Sequence, residues 1–511
     1  MENQPPVSTQ IPASSVKADF SFKKVTIKSD KIILTLSSKG GGTIEKWELN
    51  GFKYWDGGLV NLIHNSNENI NFSYYTKQNL LVDFSNTGFK PDLNYPDTLV
   101  INQQNAEQTV RFSYQIPNSN QILRTSFTFH AQSYSFEYKL TLTGFNEVSL
   151  DNQLLIGWNH GISFSEKNHQ EDMTYAHAYA LMASELEDFS AKVDKPSPFM
   201  ATGQTHWIGI RTKYFSNFTI CQNQEATGVE INPTVETNEI KEKYIYYSYN
   251  LKFPLKNQET NKYEFIVYLG PLDYSLLKGY KHNLEKMIMS VGWYERFFRP
   301  FSILLLTAFT YIQKLVSNWG LVIIIFSILI KIVLHPLTTK SYRSMKEMQI
   351  LQPKLTEIRE KYKKDSARMN QEIMKVYKEH SVNPFGGCLP TLLQMPLLIG
   401  LFIVFKSTIQ LRGAKFAWWI QDLSLPDTVF HFPFPIPLYG SSFNILPLIM
   451  GITMILQSKT TVQDPTQKFM AYFMPIFFII LFNNLPSGLT LYYTVFNIFT
   501  IAQQKWITKA T

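Results

Sequence analysis

The chain has 511 residues, with 48 Lys and Arg against 40 Asp and Glu and a mean hydropathy of −0.12. That length exceeds one ordinary core, so two or more domains are expected. The averages hide a division: residues 1–290 carry 26 basic and 30 acidic residues, whereas residues 291–511 carry 22 and 10. Two distant cysteines, Cys221 and Cys388, exclude a disulfide framework and offer no redox or metal spacing. A phosphate loop, a nucleophile elbow and nucleic-acid motifs are also missing from the sequence.

Residues 1–19 read as a linker, with neither the apolar core nor the cleavage site of a signal peptide. In KIILTLSSKGGGTIEKWEL (31–49), two β-rich runs flank three glycines, the pattern of a tight connection between strands. In TSFTFHAQSYSFEYKLTL (125–142), apolar and polar positions alternate, which marks strands with one buried face. HWIGI (206–210), NFTI (217–220), KYIYYSYNLKF (243–253) and KYEFIVYLG (262–270) continue the pattern. An antiparallel β-sandwich over residues 20–290 is expected, closed by a helix at about 274–289. Within it His160, His169, Glu171, Asp172 and His177 lie close in sequence, but their spacing fits no zinc signature. Solvated loop residues are the simpler account.

ERFFRPFSILLLTAFTYIQKLVSN (295–318) carries flanking Arg296, Arg299 and Lys314, and only a few residues separate it from the next apolar run. An amphipathic helix lying along a membrane interface is expected there. Five apolar runs follow, at 320–337, 388–405, 443–457, 469–482 and 489–504. The first is about long enough to cross a hydrocarbon core of roughly 30 Å. A helical membrane domain over 319–508 is the reading, a polytopic partner to the sandwich.

Between the first two runs, residues 339–385 hold 11 Lys and Arg against 6 acidic residues, while the loop 407–444 holds two of each. The richer loop is expected in the cytoplasm, which places residues 1–318 outside it and the C-terminus inside. Moving a domain of that size across the membrane requires a further span, expected to precede residue 1. In the basic loop Met345, Met348, Leu351, Leu355, Ile358 and Tyr362 form one apolar stripe, and Met369, Ile373, Val376 and Tyr377 a second. An antiparallel helical hairpin over 340–382 follows. It is either simply solvated or a docking surface for acidic phospholipid or RNA-bearing partners.

Polar residues accumulate in or near the apolar runs: Lys331, Gln394, Thr453, Gln457, Asn483, Asn484, Thr494 and Asn497. No Asp or Glu lies in the five runs to pair with Lys331, so a water-containing cavity among the helices is inferred. A channel or secondary transporter would also place a lysine in a membrane, although the runs show no inverted repeat.

The segments NWGLVIIIFSILIKIVLHPLTTKSYRSMKEMQILQPKL, VNPFGGCLPTLLQMPLLIGLF, DPTQKFMAYFMPIFF and LPSGLTLYYTVFNIFTIAQQ closely resemble the YidC-type membrane protein insertases. The sandwich, with YLGP at 268–271, resembles the large periplasmic domain of the bacterial members. The resemblance implies an inner-membrane protein, not an enzyme and without a cofactor, that inserts and folds nascent membrane proteins alone or with the Sec translocon. It implies a hydrophilic groove holding one essential cation, usually arginine, at the position of Lys331. Gln457, Tyr492 and Tyr493 map to the family's groove glutamine and paired tyrosines, with Gln394, Thr453, Thr494 and Asn497 beside them. On the hairpin, Met345, Met348, Arg359 and Met369 are the expected contacts for clients, ribosome or signal recognition particle. The bilayer itself is a further partner, and no specific nucleic acid is expected.

Overall fold

The alternation at residues 125–142 becomes two paired strands, Ile122–His130 and Ser135–Thr143, whose register sets Phe127 opposite Tyr138 and Phe129 opposite Phe136. These rings face one way and are buried, while Lys139 and Glu137 on the other face stay partly exposed and pair at the surface. This computed structural model describes residues 11–12, 22–146, 149–380, 389–461 and 465–510, in two units, Met1–Leu272 and Asp273–Thr511. The expected linker lies outside the described residues apart from the two-residue strand Ile11–Pro12.

The first unit is an antiparallel β-sandwich of a 15-stranded and a five-stranded sheet. Long strands at Phe199–Arg211, Ala226–Thr237, Lys243–Pro254 and Thr260–Pro271 form the body of the larger sheet. Trp47, on strand Thr43–Lys53 of the smaller sheet, joins the layers. Its indole packs against Phe136 with centroids 5.6 Å apart and donates to the Leu269 carbonyl at 3.0 Å, so a large buried group keeps its one polar atom satisfied. The three glycines make the expected connection between strands: Gly42 has φ +132°, and a Cβ there would lie 2.2 Å from the Phe127 ring.

The carboxylates and histidines between 160 and 177 are engaged in folding. Helix α1 (His169–Met173) is capped by Asn168. Asp172, fully buried, accepts from the backbone N–H groups of Lys213, Ser165 and Glu166 at 2.7, 2.8 and 3.3 Å, and Glu171 pairs with Lys213 at 2.9 Å. Burial raises the Asp172 carboxyl above its ordinary range, against those donors. His177 bonds to Asp188 at 2.8 Å.

The second unit is helical. The single closing helix expected at 274–289 is two pieces, α2 (Tyr274–Gly279) and a 3₁₀ turn Leu284–Met287. Lys281 and Asn283 between them adopt left-handed backbone angles, φ +60° and +62°, which no helix continues. Then come α3 (Gly292–Gln313), α4 (Trp319–Lys361), α5 (Ser366–Glu379), α6 (Leu389–Ser407), α7 (Ile445–Thr461), α8 (Pro465–Phe482) and α9 (Ser487–Ala510). Helix α3 starts and ends earlier than the expected 295–318. It exposes Trp293, Phe297, Leu304 and Tyr311 and buries Leu305, Leu306 and Phe309. Gly400 lets α6 approach it: a Cβ there would sit 2.7 Å from the Phe301 ring. A hairpin of strands Thr428–Ile436 and Gly440–Asn444, not expected from the sequence, joins α6 to α7, so Phe443 and Asn444 belong to a strand and not to the third apolar run.

Cys221 is buried, and burial pushes its thiol up to about 12, so it is unreactive while the sandwich is closed. Reaction of Cys221 with a maleimide should therefore report unfolding of the first unit. Gly42→Ala should lower the urea midpoint of that reaction by an amount worth about 1–3 kcal/mol, the usual cost of overpacking, with the unfavourable φ adding to it. An unchanged midpoint would show that the Gly42 turn rearranges freely.

Candidate functional site

Helix α4 begins at Asn318, whose side chain accepts from the N–H groups of Gly320 and Leu321 at 2.9 and 3.2 Å. Its 43 residues run through Pro336 and Pro353 without a break. At 1.5 Å per residue that is about 65 Å, roughly twice a hydrocarbon core. Among the described residues it is the one helix both long and apolar enough to cross a membrane. Gln394–Ser407, Ile445–Ser458 and Tyr472–Phe482 are shorter apolar stretches. The first arm of the expected hairpin is thus the continuation of α4, not a separate helix. Thr338 and Thr339 bond back to the Leu334 and His335 carbonyls at 3.0 and 2.8 Å, so the chain passes Pro336 still helical.

Lys331 lies midway along the apolar half and is 7 % exposed. Its Nζ donates to the Thr500 hydroxyl on α9 at 2.7 Å, with the Phe496 ring 4.7 Å and the Tyr342 ring 5.9 Å away. Among the described residues its partners are a neutral hydroxyl and two ring faces, none of which cancels the charge. One turn on, His335 Nδ1 lies 2.8 Å from Gln503 Nε2, which also donates to Thr338 at 3.0 Å. A crevice of about 510 Å³ opens along this seam, lined by Lys331, His335 and Gln503 among Ile328, Phe499 and Trp506.

The other residues named from the sequence fall in two groups. Thr453 on α7 and Asn497 on α9 are buried and face each other at 3.5 Å, with Gln457 one turn beyond Thr453 and half-buried. Tyr492 and Tyr493 meet edge to face at 5.2 Å; Tyr492 packs near Phe326, Tyr493 against Phe482, and the half-buried Gln394 faces the Tyr493 hydroxyl. Among the described residues the buried Tyr492 hydroxyl has no hydrogen-bond partner. Thr494 bonds to its own helix at Thr490. Asn483 and Asn484 lie past the end of α8, not inside an apolar run: Asn483 donates to the Tyr439 and Ser442 carbonyls at 2.9 and 3.0 Å.

Five residues of the seam escaped the sequence reading: His335, Thr338, Tyr342, Thr500 and Gln503. A signal existed, since Phe496, Thr500 and Gln503 extend the Tyr492–Tyr493 face at helical spacing, and His335 lies four residues from Lys331.

On the hairpin, Leu351 and Leu355 of α4 form a small core with Val376 and Tyr377 of α5, and Met348, Ile358 and Ile373 pack around it. Met348 is half-buried and packs against the hairpin's own core. Met345, Arg359 and Met369 are half-buried, while Ile350 and Met374 are exposed. Residues 381–388, with the end of the expected hairpin and all of VNPFGGC, lie outside the described residues.

A β-sandwich joined to a helical unit that carries one helix of membrane-spanning length and apolarity, with a buried cation within it, is the architecture of a membrane-associated protein. The chain matches the YidC periplasmic domain family over residues 24–304 and the 60Kd inner membrane protein family over 311–511. It is 36% identical over 497 residues to the membrane protein insertase YidC of Chloroherpeton thalassium, covering 96% of this chain and 83% of that one. Its identity to the membrane protein insertase YidC of Pelodictyon phaeoclathratiforme is 37% over 526 residues, covering 98% and 87%. A crystal structure of an active YidC insertase with its first transmembrane domain resolved aligns over 95% of this chain and 92% of its own, at 16% identity and a TM-score of 0.38. The chain belongs to the YidC family of membrane protein insertases.

Leu355 is fully buried in the hairpin core, so Leu355→Ala should cost about 2–5 kcal/mol of local stability. Hydrogen exchange of α5 should accelerate while that of residues 319–335 on α4 stays unchanged. Equal acceleration in both would mean that the hairpin and the apolar half of α4 open as one unit.

Proposed function

We propose that this chain inserts nascent membrane proteins into the bacterial inner membrane along a groove beside Lys331, without cofactor or covalent chemistry. The observation that carries the proposal is the buried Lys331 ammonium held against a neutral hydroxyl. A charge so placed in lipid is costly, by roughly 2.5–3.5 kcal/mol on insertion scales, and is relieved by water or by an anionic visitor. The acidic or polar segment of a client would relieve it, which lowers the cost of carrying that segment part-way across. Gln394, Thr453, Gln457, Thr494 and Asn497, with the Tyr492 hydroxyl, would offer further hydrogen bonds to a client's polar backbone. The client's apolar segment then moves sideways into lipid. Burying about 20 apolar residues is downhill, so no nucleotide is required of this chain.

In this reading the α4–α5 hairpin, with the 11 basic residues of 339–385, faces the cytoplasm and meets clients, ribosome or signal recognition particle through Met345, Arg359 and Met369. Helix α3 lies in the outer interface with Trp293, Phe297, Leu304 and Tyr311 toward lipid. The sandwich is periplasmic, and cooperation with the Sec translocon would use the same groove.

Lys331→Arg should support insertion at least as well as lysine, because it keeps the charge and adds a planar donor fork. Lys331→Ala should fold, since loss of an uncompensated charge relieves a cost, yet fail with clients whose translocated segment is acidic. Lys331→Glu should be worst. Complementation of a depleted strain with one acidic-tailed and one neutral-tailed client checks this; native rates for both clients in Lys331→Ala would remove the charge from the mechanism. Orientation has its own check: single cysteines at Ser366 and Ser441 should be labelled only from the cytoplasmic and only from the outer side, respectively, and the reverse would invert the topology.

A further inference from the structure

The hairpin between α6 and α7 has a composition that water does not explain. Residues 428–458 contain no Lys, Arg, Asp or Glu, and the strands read TVFHFPFPI and GSSFN. Phe430 stacks on Phe443 at 4.7 Å, and Phe432 meets Phe443 and Tyr439 edge-on at 6.1 and 6.4 Å. The cluster leaves its tip uncovered: Phe434 is 63% and Leu438 86% exposed. Leu438 also holds φ +67°, a left-handed turn position that favours glycine or asparagine, so an apolar side chain is kept where a polar or absent one would fit the backbone better. In water such a two-stranded sheet with open edges invites aggregation.

Its mounting is firm. The buried Asn483, just past α8, donates to the Tyr439 and Ser442 carbonyls of the turn and second strand, and Asn444 donates to the Asn483 side chain at 2.9 Å. Asp427 accepts from the N–H groups of Ile445 and Leu446, fixing the first turn of α7 directly below the second strand. The hairpin is thus held at the ends of two apolar helices and continues directly into one of them.

We infer that this hairpin is an interfacial anchor whose occupant is lipid: Phe434, Leu438 and the aromatic cluster enter the headgroup and upper acyl region of the outer leaflet. The inference rests on the proposed crossing of the membrane by α6 and α7. Continuity with α7 puts the strands at the bilayer surface, and freedom from charge suits a depth of about 5–10 Å into the headgroup–acyl boundary. Pro433, Pro435 and Pro437 have no N–H, so three donors that lipid could not satisfy are missing from the strand and its turn. The anchor would pin the outer ends of α7 and α8 at a set depth while the seam below admits clients.

The test uses the full chain, with Cys221 and Cys388 replaced by serine, in vesicles of phosphatidylethanolamine and phosphatidylglycerol. Single cysteines at Leu438, at Ile452 on the exposed face of α7 and at Ser366 on α5 carry an environment-sensitive dye. Leu438→Cys should show a blue shift, loss of iodide quenching relative to Ser366→Cys, and stronger quenching by lipid spin labels near the headgroup than by labels deep in the chain. Phe434→Asp in that background should restore iodide quenching. Iodide quenching at Leu438 equal to that at Ser366, with Ile452 quenched by lipid labels, overturns the anchor and leaves the crossing of α7 intact. Shielding from both iodide and lipid labels would assign the tip to a protein partner such as a second copy, and also overturns it. Iodide quenching at Ile452 would instead overturn the crossing itself, and the anchor with it.

Discussion

The Lys331 ammonium rests 2.7 Å from the Thr500 hydroxyl, beside a crevice otherwise lined largely by apolar side chains. A hydroxyl dipole orients that charge but does not cancel it, which makes the burial of Lys331 costly and the polar neighbours along the same seam important. His335, Thr338 and Gln503 extend the seam by two turns toward the hairpin, and Thr453 with Asn497 adds a second polar contact between α7 and α9. Thr500 and Gln503 of α9 face α4 and Asn497 faces α7, while Ile498 and Phe499 stay exposed.

Holding a charge in that position demands close, rigid packing around it. Phe309 of α3 stacks on Phe326 of α4 at 4.3 Å, one turn before Lys331, and meets Phe405 of α6 at 5.7 Å. Gly400 removes the side chain that would keep α3 and α6 apart, and Gly451 does the same where Ile479 of α8 lies against α7. Because α4 is one helix from the charge to Lys361, a client bound at the hairpin and a client segment at Lys331 would meet the same element.

The sandwich is built on a different principle, burial of very large side chains, several of which place their polar atom on a nearby carbonyl. Trp47, Trp158 and Tyr268 are fully buried and donate to the carbonyls of Leu269, Gly161 and Pro271. Its one cluster suggestive of chemistry, around Asp172, binds three backbone N–H groups and so organises the loop that carries it. A carboxylate so employed has little capacity left for acid–base work.

By itself the sequence determined the class of each half. Period-2 alternation and long apolar runs are local properties, imposed by the burial of one face of a strand or by the length of a lipid-spanning helix. They were legible at 125–142 and 320–337, as was the oddity of Lys331. The paired stripes of the hairpin were also readable, because Leu351, Leu355, Val376 and Tyr377 repeat at helical spacing on neighbouring segments. What touches Lys331 was not, since Thr500 lies 169 residues away and nothing local marks a threonine as the partner of a lysine. The continuity of α4 past two prolines, the packing of Met348 against the hairpin core and the bonding of Asn483 to the Tyr439 and Ser442 carbonyls were likewise decided by the fold. Only the tertiary structure could show the hairpin at 428–444 as an exposed sheet. Its alternating aromatics satisfy a strand pattern, but which of them find partners depends on the neighbours the fold supplies.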